Sequence, residues 1–289
     1  MSAPQTNSEL LAQLSRNSTP YQDPLSRIDW ESLPGDQFWL PEEGMSLYGL
    51  AEYHALPRVT RLALSRYEFL HVIEAGLWLE GIFMTRISQT INHRGRDLPR
   101  LIYNLHELRE EAGHSLMFVE LIRRSGLSRP RTRFHRMRLA NALGHYAPFD
   151  SSGFWIAVLI GEELPDRLNR FIRKYRDEIC PAVYDMTKIH IIEEARHIAH
   201  AREVLEGRMK GMPAWRLALI RPVICRVFRQ FTRALYFPEP DVYRLAGLSN
   251  PVRWAHRARS NPHRIRFVDE IMHSALRGLR DLGVDLRWR

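Results

Sequence analysis

The chemistry of this sequence is concentrated in two Glu-Glu-x-x-His segments, each preceded by a further glutamate at one fixed distance. The first is Glu110-Glu111-Ala112-Gly113-His114, and Glu80 stands 31 residues before Glu111. The second is Glu193-Glu194-Ala195-Arg196-His197, and Glu163 stands 31 residues before Glu194. Residues three apart share a helix face, so each Glu-x-x-His can turn a carboxylate and an imidazole toward one point. Two helical hairpins, each giving a Glu plus a Glu-x-x-His, form the donor set for a carboxylate-bridged pair of metal ions inside a four-helix bundle.

The hairpins must bring these residues level. The first turn is centred near residue 95, about as far from Glu80 as from Glu111. The second, near residues 178–181, is similarly placed between Glu163 and Glu194. Glu74, the competing donor on the first helix, would lie about 9 Å off level at 1.5 Å per residue. Glu162 competes with Glu163, and the equal 31-residue spacings favour Glu163. A lone Glu-x-x-His is usually a solvated surface pair. Here each partner glutamate sits among apolar residues (Gly76, Leu77, Phe83 and Met84 around Glu80; Leu159 and Ile160 around Glu163), where an ionised carboxylate needs a cation. His190 lies four residues before Glu194 and seven before His197, on the same helical stripe, and is expected to add a third imidazole. The expected ligands are therefore Glu80, Glu111, His114, Glu163, His190, Glu194 and His197, with Glu111 and Glu194 bridging ions about 3.5 Å apart. Such a carboxylate-rich site with a few imidazoles suits iron or manganese better than zinc.

The elements follow from a helical period that dominates the chain. Long helices are expected over about Arg58–Asn92, Pro99–Arg124, Asp150 or Ser151 to Glu178, and Pro181–Met209, with a shorter one over Arg131–His145. His93 to Pro99 breaks the first pair, and Gly211 and Pro213 stop the fourth long helix. Further helices are expected at about 214–236 and 263–282. No strand alternation competes, so the fold is all-α. Residues 1–45, rich in proline, read as an irregular arm with a frayed start, in which Trp30, Phe38 and Trp39 pack onto the body. Residues 46–289 read as a single helical domain, with the core bundle at 58–210 and accessory helices at 211–289.

Composition limits the alternatives. Hydrophobic residues make up 45% of the 289, enough for a substantial core. No signal core is evident, and the most apolar stretch, Leu217–Phe237, is interrupted by Arg221, Arg226, Arg229 and Arg233, so no membrane span is expected. Cys180 and Cys225 match no metal or redox spacing and read as free thiols of a cytoplasmic protein. The net charge of +9 resides in the last third, where 17 Lys/Arg face 7 Asp/Glu from residue 205 onward. With no nucleic-acid motif, this reads as a solvated arginine-rich face, and nucleic acid is not an expected partner.

The set Glu80, Glu111-x-x-His114, Glu163 and His190-x-x-x-Glu194-x-x-His197 resembles the di-iron arylamine N-oxygenase family, typified by p-aminobenzoate N-oxygenase, whose distinguishing ligand is the extra histidine of the fourth helix. The resemblance covers about residues 58–210. It implies a ferritin-like bundle holding two iron ions, dioxygen as co-substrate, and oxygen transfer to the nitrogen of a small-molecule amine, free or carrier-tethered. The chain has no flavin, nicotinamide or iron–sulfur motif, so an external electron donor is expected, and a homodimer is compatible with the fold. Glu110 and Glu193 occupy the place of the Asp in the DExRH motif of related di-iron proteins. By that likeness Glu110 orients His197, Glu193 orients His114, and Arg196 supplies a guanidinium to one half only, because Gly113 stands at the other position. A dry pocket is expected near Leu77, Phe83, Met84 and Ile160.

Three other functions share parts of this pattern. A ribonucleotide reductase small subunit would carry a radical tyrosine four residues after the first ligand histidine, where this chain has Phe118. A ferritin-type iron store usually has one Glu-x-x-His and no third histidine. A C–H hydroxylase or desaturase is the strongest rival, because ligands alone do not choose between nitrogen and carbon.

Overall fold

The computed structural model describes residues 7–33, 36–93 and 97–288. Its helices in chain order are α1 (Asn7–Ser18), α2 (Ala51–His54), α3 (Arg58–His93), α4 (Leu98–Ser125), α5 (Arg138–Tyr146), α6 (Ser152–Ile172), α7 (Pro181–Met209), α8 (Ala214–Tyr236), α9 (Pro240–Leu245), α10 (Pro251–Ser260) and α11 (Pro262–Asp281). No strand occurs among the described residues, and the lone bridge pairs Phe38 with Ile179. The fold is all-α, as expected.

Helix ends follow local chemistry. The Asp97 side chain accepts the Arg100 N–H, Pro99 occupies the first turn, and Gly126 in the left-handed region (φ 62°) ends α4. Ser151 caps α6 by accepting the Phe154 N–H at 3.2 Å, and Pro181 opens α7. Arg94, Gly95 and Arg96, the centre of the expected first turn, lie outside the described residues.

Several expectations need correction. The segment 7–18 is a helix rather than irregular chain: Leu11 and Leu14 are buried against Tyr103 of α4. The short helix before α6 begins at Arg138 rather than Arg131, after a tighter turn over Phe134–Arg136, and the short helices α2, α9 and α10 were not foreseen. The third long helix ends at Ile172 and passes into a tighter turn over Arg173–Tyr175 instead of reaching Glu178.

The core is two helix pairs, α3 on α4 and α6 on α7, with α5 against α3 and α8, and α8 and α11 against α6. Along α8, Ile224, Val227, Phe228, Phe231 and Leu235 face inward while Arg226 and Arg229 are exposed, so the apolar run is an amphipathic cover. No helix among the described residues is long and apolar enough to cross a membrane. Both cysteines are free.

Buried polar groups fasten the ends of the chain to the bundle. The Arg264 guanidinium of α11 donates to the Tyr236 carbonyl (2.6 and 2.8 Å) and to the Gly44 carbonyl (2.6 Å). Glu68 of α3 accepts from the Ser46 N–H at 2.9 Å and from its hydroxyl at 2.5 Å. Every partner in this network is satisfied within the protein, which is what buried charge requires.

One buried group makes stability depend on pH. His71 of α3 is 1% exposed, its ring 5.6 Å from that of Phe134. Burial, the largest influence, pulls its pKa from 6.5 down to about 4. The depressed value means that its contribution is complete above the unfolded pKa and is lost as pH falls through the folded one. Between pH 7 and pH 4 the wild-type protein should lose about 2–3 kcal/mol more stability than a His71→Leu variant. Denaturant titrations of both proteins at the two pH values measure this, and equal losses would contradict it.

Candidate metal centre

Each of the four long helices presents glutamate to the middle of the bundle. Donor atoms of Glu80 (α3), His114 (α4), His190 and Glu194 (α7) lie within 4.8 Å of one another. A second group, also within 4.8 Å, is formed by Glu111 (α4), Glu162 (α6), Glu194 and His197 (α7). Glu194 belongs to both: its Oε1 is 3.4 Å from His114 Nδ1 and 3.5 Å from His190 Nε2, and its Oε2 is 3.6 Å from His197 Nδ1. Glu111 also spans the pair, with Oε2 3.2 Å from His114 Nδ1 and Oε1 2.9 Å from His197 Nδ1. Glu80 Oε1 is 3.7 Å from both His114 Nδ1 and His190 Nε2.

These residues fit a pair of cations. Glu111 Oε1, both Glu194 oxygens and His197 Nδ1 are buried and make no aligned hydrogen bond. Buried polar atoms without partners are costly unless something binds them. Four carboxylates (Glu80, Glu111, Glu162, Glu194) balance the charge of two divalent ions, and three imidazoles complete the set. The electrostatics point the same way. Burial, then the charge of Glu80, pushes Glu111 up to about 8. Burial, then the Glu194 charge, raises Glu162 well above the ordinary carboxylate range. Glu80 goes the other way: burial opposes its charge, but hydrogen bonding with Glu111, His114 and His190 outweighs it and holds Glu80 at about 2.

Glu163 is not in this cluster, contrary to the expectation from equal spacing. It is 1% exposed and pairs with Arg202, with Arg167 Nη2 at 3.7 Å. The physical reason is helix phase. A one-residue step turns a side chain by about 100°, so Glu162 and Glu163 cannot face the same point. On α6 the stripe facing the site is Val158, Gly161, Glu162, Pro165 and Asn169. The i,i+4 pairing of Glu163 with Arg167, and of Asp166 with Arg170 (2.7 Å), marks the other face. That charge pattern was the available signal.

A layer of hydrogen bonds lies behind the imidazoles. Glu110 Oε2 is 3.0 Å from His197 Nε2, and Glu193 Oε2 is 3.0 Å from His114 Nε2, so each hairpin holds the other's ring. Arg196 Nη2 donates to Glu110 Oε1 at 2.8 Å. Burial opposes the Glu110 charge, but the His197 bond and then the Arg196 charge hold it at about 2. The other half is not without a guanidinium: Arg27, from the N-terminal arm, reaches Glu193 Oε1 at 3.5 Å. No sequence motif marks that contact. The Asn169 amide lies 3.1 Å from His190 Nδ1. An imidazole whose Nε2 faces cations keeps its proton on Nδ1, so the amide oxygen belongs at this contact, a half-turn of the side chain. Glu107, the repeat counterpart of His190, instead bonds His200 Nδ1 at 3.1 Å.

Beside the cluster lies a cavity whose walls enclose about 990 Å³, its mouth included. Glu80, Glu162, His190 and Glu194 form its polar end. Of the four residues expected in the pocket, Phe83 lines it, whereas Leu77, Met84 and Ile160 do not. On α3 the cavity stripe runs through Val72, Ile73, Gly76, Leu79, Glu80 and Phe83, and Leu77 and Met84 fall outside it. Ile160 is buried in the core on another face of α6. Gly76 permits close packing: a Cβ there would meet Phe118 Cε2 at 2.8 Å. The Phe118 ring in turn stacks 5.8 Å from His190.

Among known proteins, a family model described as P-aminobenzoate N-oxygenase AurF matches residues 3–283. The proteins MT0908 of Mycobacterium tuberculosis (strain CDC 1551 / Oshkosh) and Mb0909 of Mycobacterium bovis (strain ATCC BAA-935 / AF2122/97), both named as uncharacterized, are each 30% identical over 244 residues, covering 80% of this chain. The chain spans 66% of the length of these relatives. Among solved structures, an R2-like ligand-binding oxidase with aerobically reconstituted metal cofactor after photoconversion shares the fold at a TM-score of 0.58 and 13% identity, over 99% of this chain and 95% of that one. A variant of such an oxidase with aerobically reconstituted Mn/Fe cofactor aligns at a TM-score of 0.57 and 12% identity, with the same coverage. Because the family model spans almost all of its residues, the chain belongs to the p-aminobenzoate N-oxygenase AurF family.

Proposed function

We propose that this protein is a di-iron, dioxygen-dependent N-oxygenase acting on a primary amine, most simply an arylamine. The observation that carries the reading is His190, a third imidazole whose Nε2 turns toward Glu80 and Glu194 at the end of an otherwise apolar cavity. Glu80, Glu111, His114, Glu162, His190, Glu194 and His197 would hold the ions. When bound, two irons supply the redox chemistry that divides dioxygen between product and water. The overall change is one amine, one O2, two electrons and two protons giving a hydroxylamine and one water, with an N–O bond formed and the O–O bond broken. The electrons come from an external donor, and the basic C-terminal third offers a docking face for it or for an acidic carrier bearing the substrate.

The chain's own residues do the rest. Glu110 and Glu193 fix the His197 and His114 rings by binding their Nε2 protons, leaving each Nδ1 lone pair for a cation. Phe83, Phe118 and Phe154 exclude water from the cavity end, which strengthens every charge interaction there. A substrate reaching past them meets the Glu162 and His190 side of the cluster, because those residues, unlike His114 and His197, line the cavity.

A C–H hydroxylase could use the same donors, so the decisive measurement follows the oxygen atom. Iron-loaded protein given a chemical reductant, an arylamine and isotopically labelled dioxygen should place label on nitrogen. Label on carbon, with the amine untouched, replaces this reading with the hydroxylase.

A further inference from the structure

We propose that the amine this site takes is uncharged and hydrocarbon-bodied, with no carboxylate elsewhere on the molecule. The proposal rests on the N-oxygenase reading and narrows its substrate class. Six polar side chains line the cavity: Glu80, Glu162, Glu194, His190, Asn169 and Thr187. The first four face the cation cluster, and Asn169 is engaged with His190. The Thr187 hydroxyl donates to the Tyr184 carbonyl at 2.8 Å. The remaining walls are apolar, with Phe69, Val72, Leu79, Phe154, Phe231 and Leu235 among them.

No lysine or arginine lines this cavity among the described residues. Behind the wall, Arg86 sits 4.9 Å from the Phe154 ring centroid and already donates to the carbonyls of His145 and Ala147. Arg129 is bound to Glu74 through both Nε (2.6 Å) and Nη2 (2.9 Å). A substrate carboxylate held against the apolar walls would therefore leave water without a counter-ion, which disfavours an anion. An arylamine with an alkyl body carries no charge at neutral pH and loses nothing by leaving water except the hydration of its N–H groups.

Those hydrogens have an acceptor in the backbone. Pro165 sits within α6 and has no N–H, so the Gly161 carbonyl lacks the donor that position i+4 normally supplies. Both residues line the cavity beside Glu162. The interruption frees a carbonyl on the residue next to Glu162, which could accept from an amine sitting where it must be oxygenated.

The test is calorimetric titration of the iron-loaded full chain at neutral pH with para-ethylaniline, ethylbenzene and para-aminobenzoate. Para-ethylaniline should bind at least about 100-fold tighter than para-aminobenzoate, and about tenfold tighter than ethylbenzene, which lacks the amine. Para-aminobenzoate binding as tightly as para-ethylaniline overturns the proposal, as does para-ethylaniline failing to bind or merely matching ethylbenzene. Product analysis on the bound amine is separate: oxygen recovered on carbon would remove the N-oxygenase reading while leaving the preference for uncharged molecules intact.

Discussion

Replacing Glu162 with alanine should remove at least one iron per chain and lower turnover at least about 100-fold, the scale expected when a donor and not merely its support is lost. Replacing Glu163, its immediate neighbour, with glutamine should leave the iron content unchanged. The two carboxylates differ only in helix phase. Glu162 shares a cluster with Glu111, Glu194 and His197, whereas Glu163 is paired with Arg202 and Arg167. Glu163→Gln instead leaves two guanidinium groups without their anion. Because both arginines are partly solvated, at 34% and 28% side-chain exposure, the cost should be about 1–3 kcal/mol rather than that of a fully buried broken pair. Elemental analysis and denaturant unfolding of the two variants separate these effects. Iron loss in Glu163→Gln with iron retained in Glu162→Ala would reverse the assignment.

The largest effect of all should come from Glu194→Ala. Glu194 is the residue common to both donor groups, one oxygen toward His114 and His190 and the other toward His197. Its loss should therefore empty both positions, with iron falling from two per chain to near zero. The variant's stability should also stop responding to iron. In the wild-type protein, an ion present at 1,000 times its dissociation constant adds about 4 kcal/mol by mass action. Melting curves recorded with and without ferrous iron under anaerobic conditions make the comparison. A variant that still melts higher with iron, or still holds two ions, would show that Glu111 alone can join the sites.

Much of this arrangement was legible because it is periodic. Glu-x-x-His at 111–114 and 194–197 and the stripe 190, 194, 197 are set by helix geometry alone, and α7 runs over the residues expected, Pro181–Met209. What failed was phase on α6, whose donor glutamate has no Glu-x-x-His on the same helix to anchor it. Equal 31-residue spacings assume equal turns, and after α6 the chain passes into a tighter turn over residues 173–175. The cavity was mostly illegible for another reason. Its walls come from α3, α4, α5, α6, α7 and α8 together, and Phe231 or Leu143 carries no local sign of which space it closes. The helix at 7–18 hid behind polar residues because its apolar docking face is short, with Leu10, Leu11 and Leu14.

Arg27 belongs to the arm, and the arm is held elsewhere. The Asp29 N–H donates to Asp185 at 3.1 Å, the Ser32 hydroxyl accepts from the Ala182 N–H at 2.9 Å, and the Phe38 carbonyl accepts from the Cys180 N–H at 2.8 Å. Through Glu193, which steadies the His114 ring, this apparent packaging would be coupled to whatever ions the cluster holds. Thermodynamic reciprocity then applies: whatever factor arm docking adds to ion affinity, ion binding must return to arm docking. A cut in the arm would register as weakened ion affinity with every donor atom still in place.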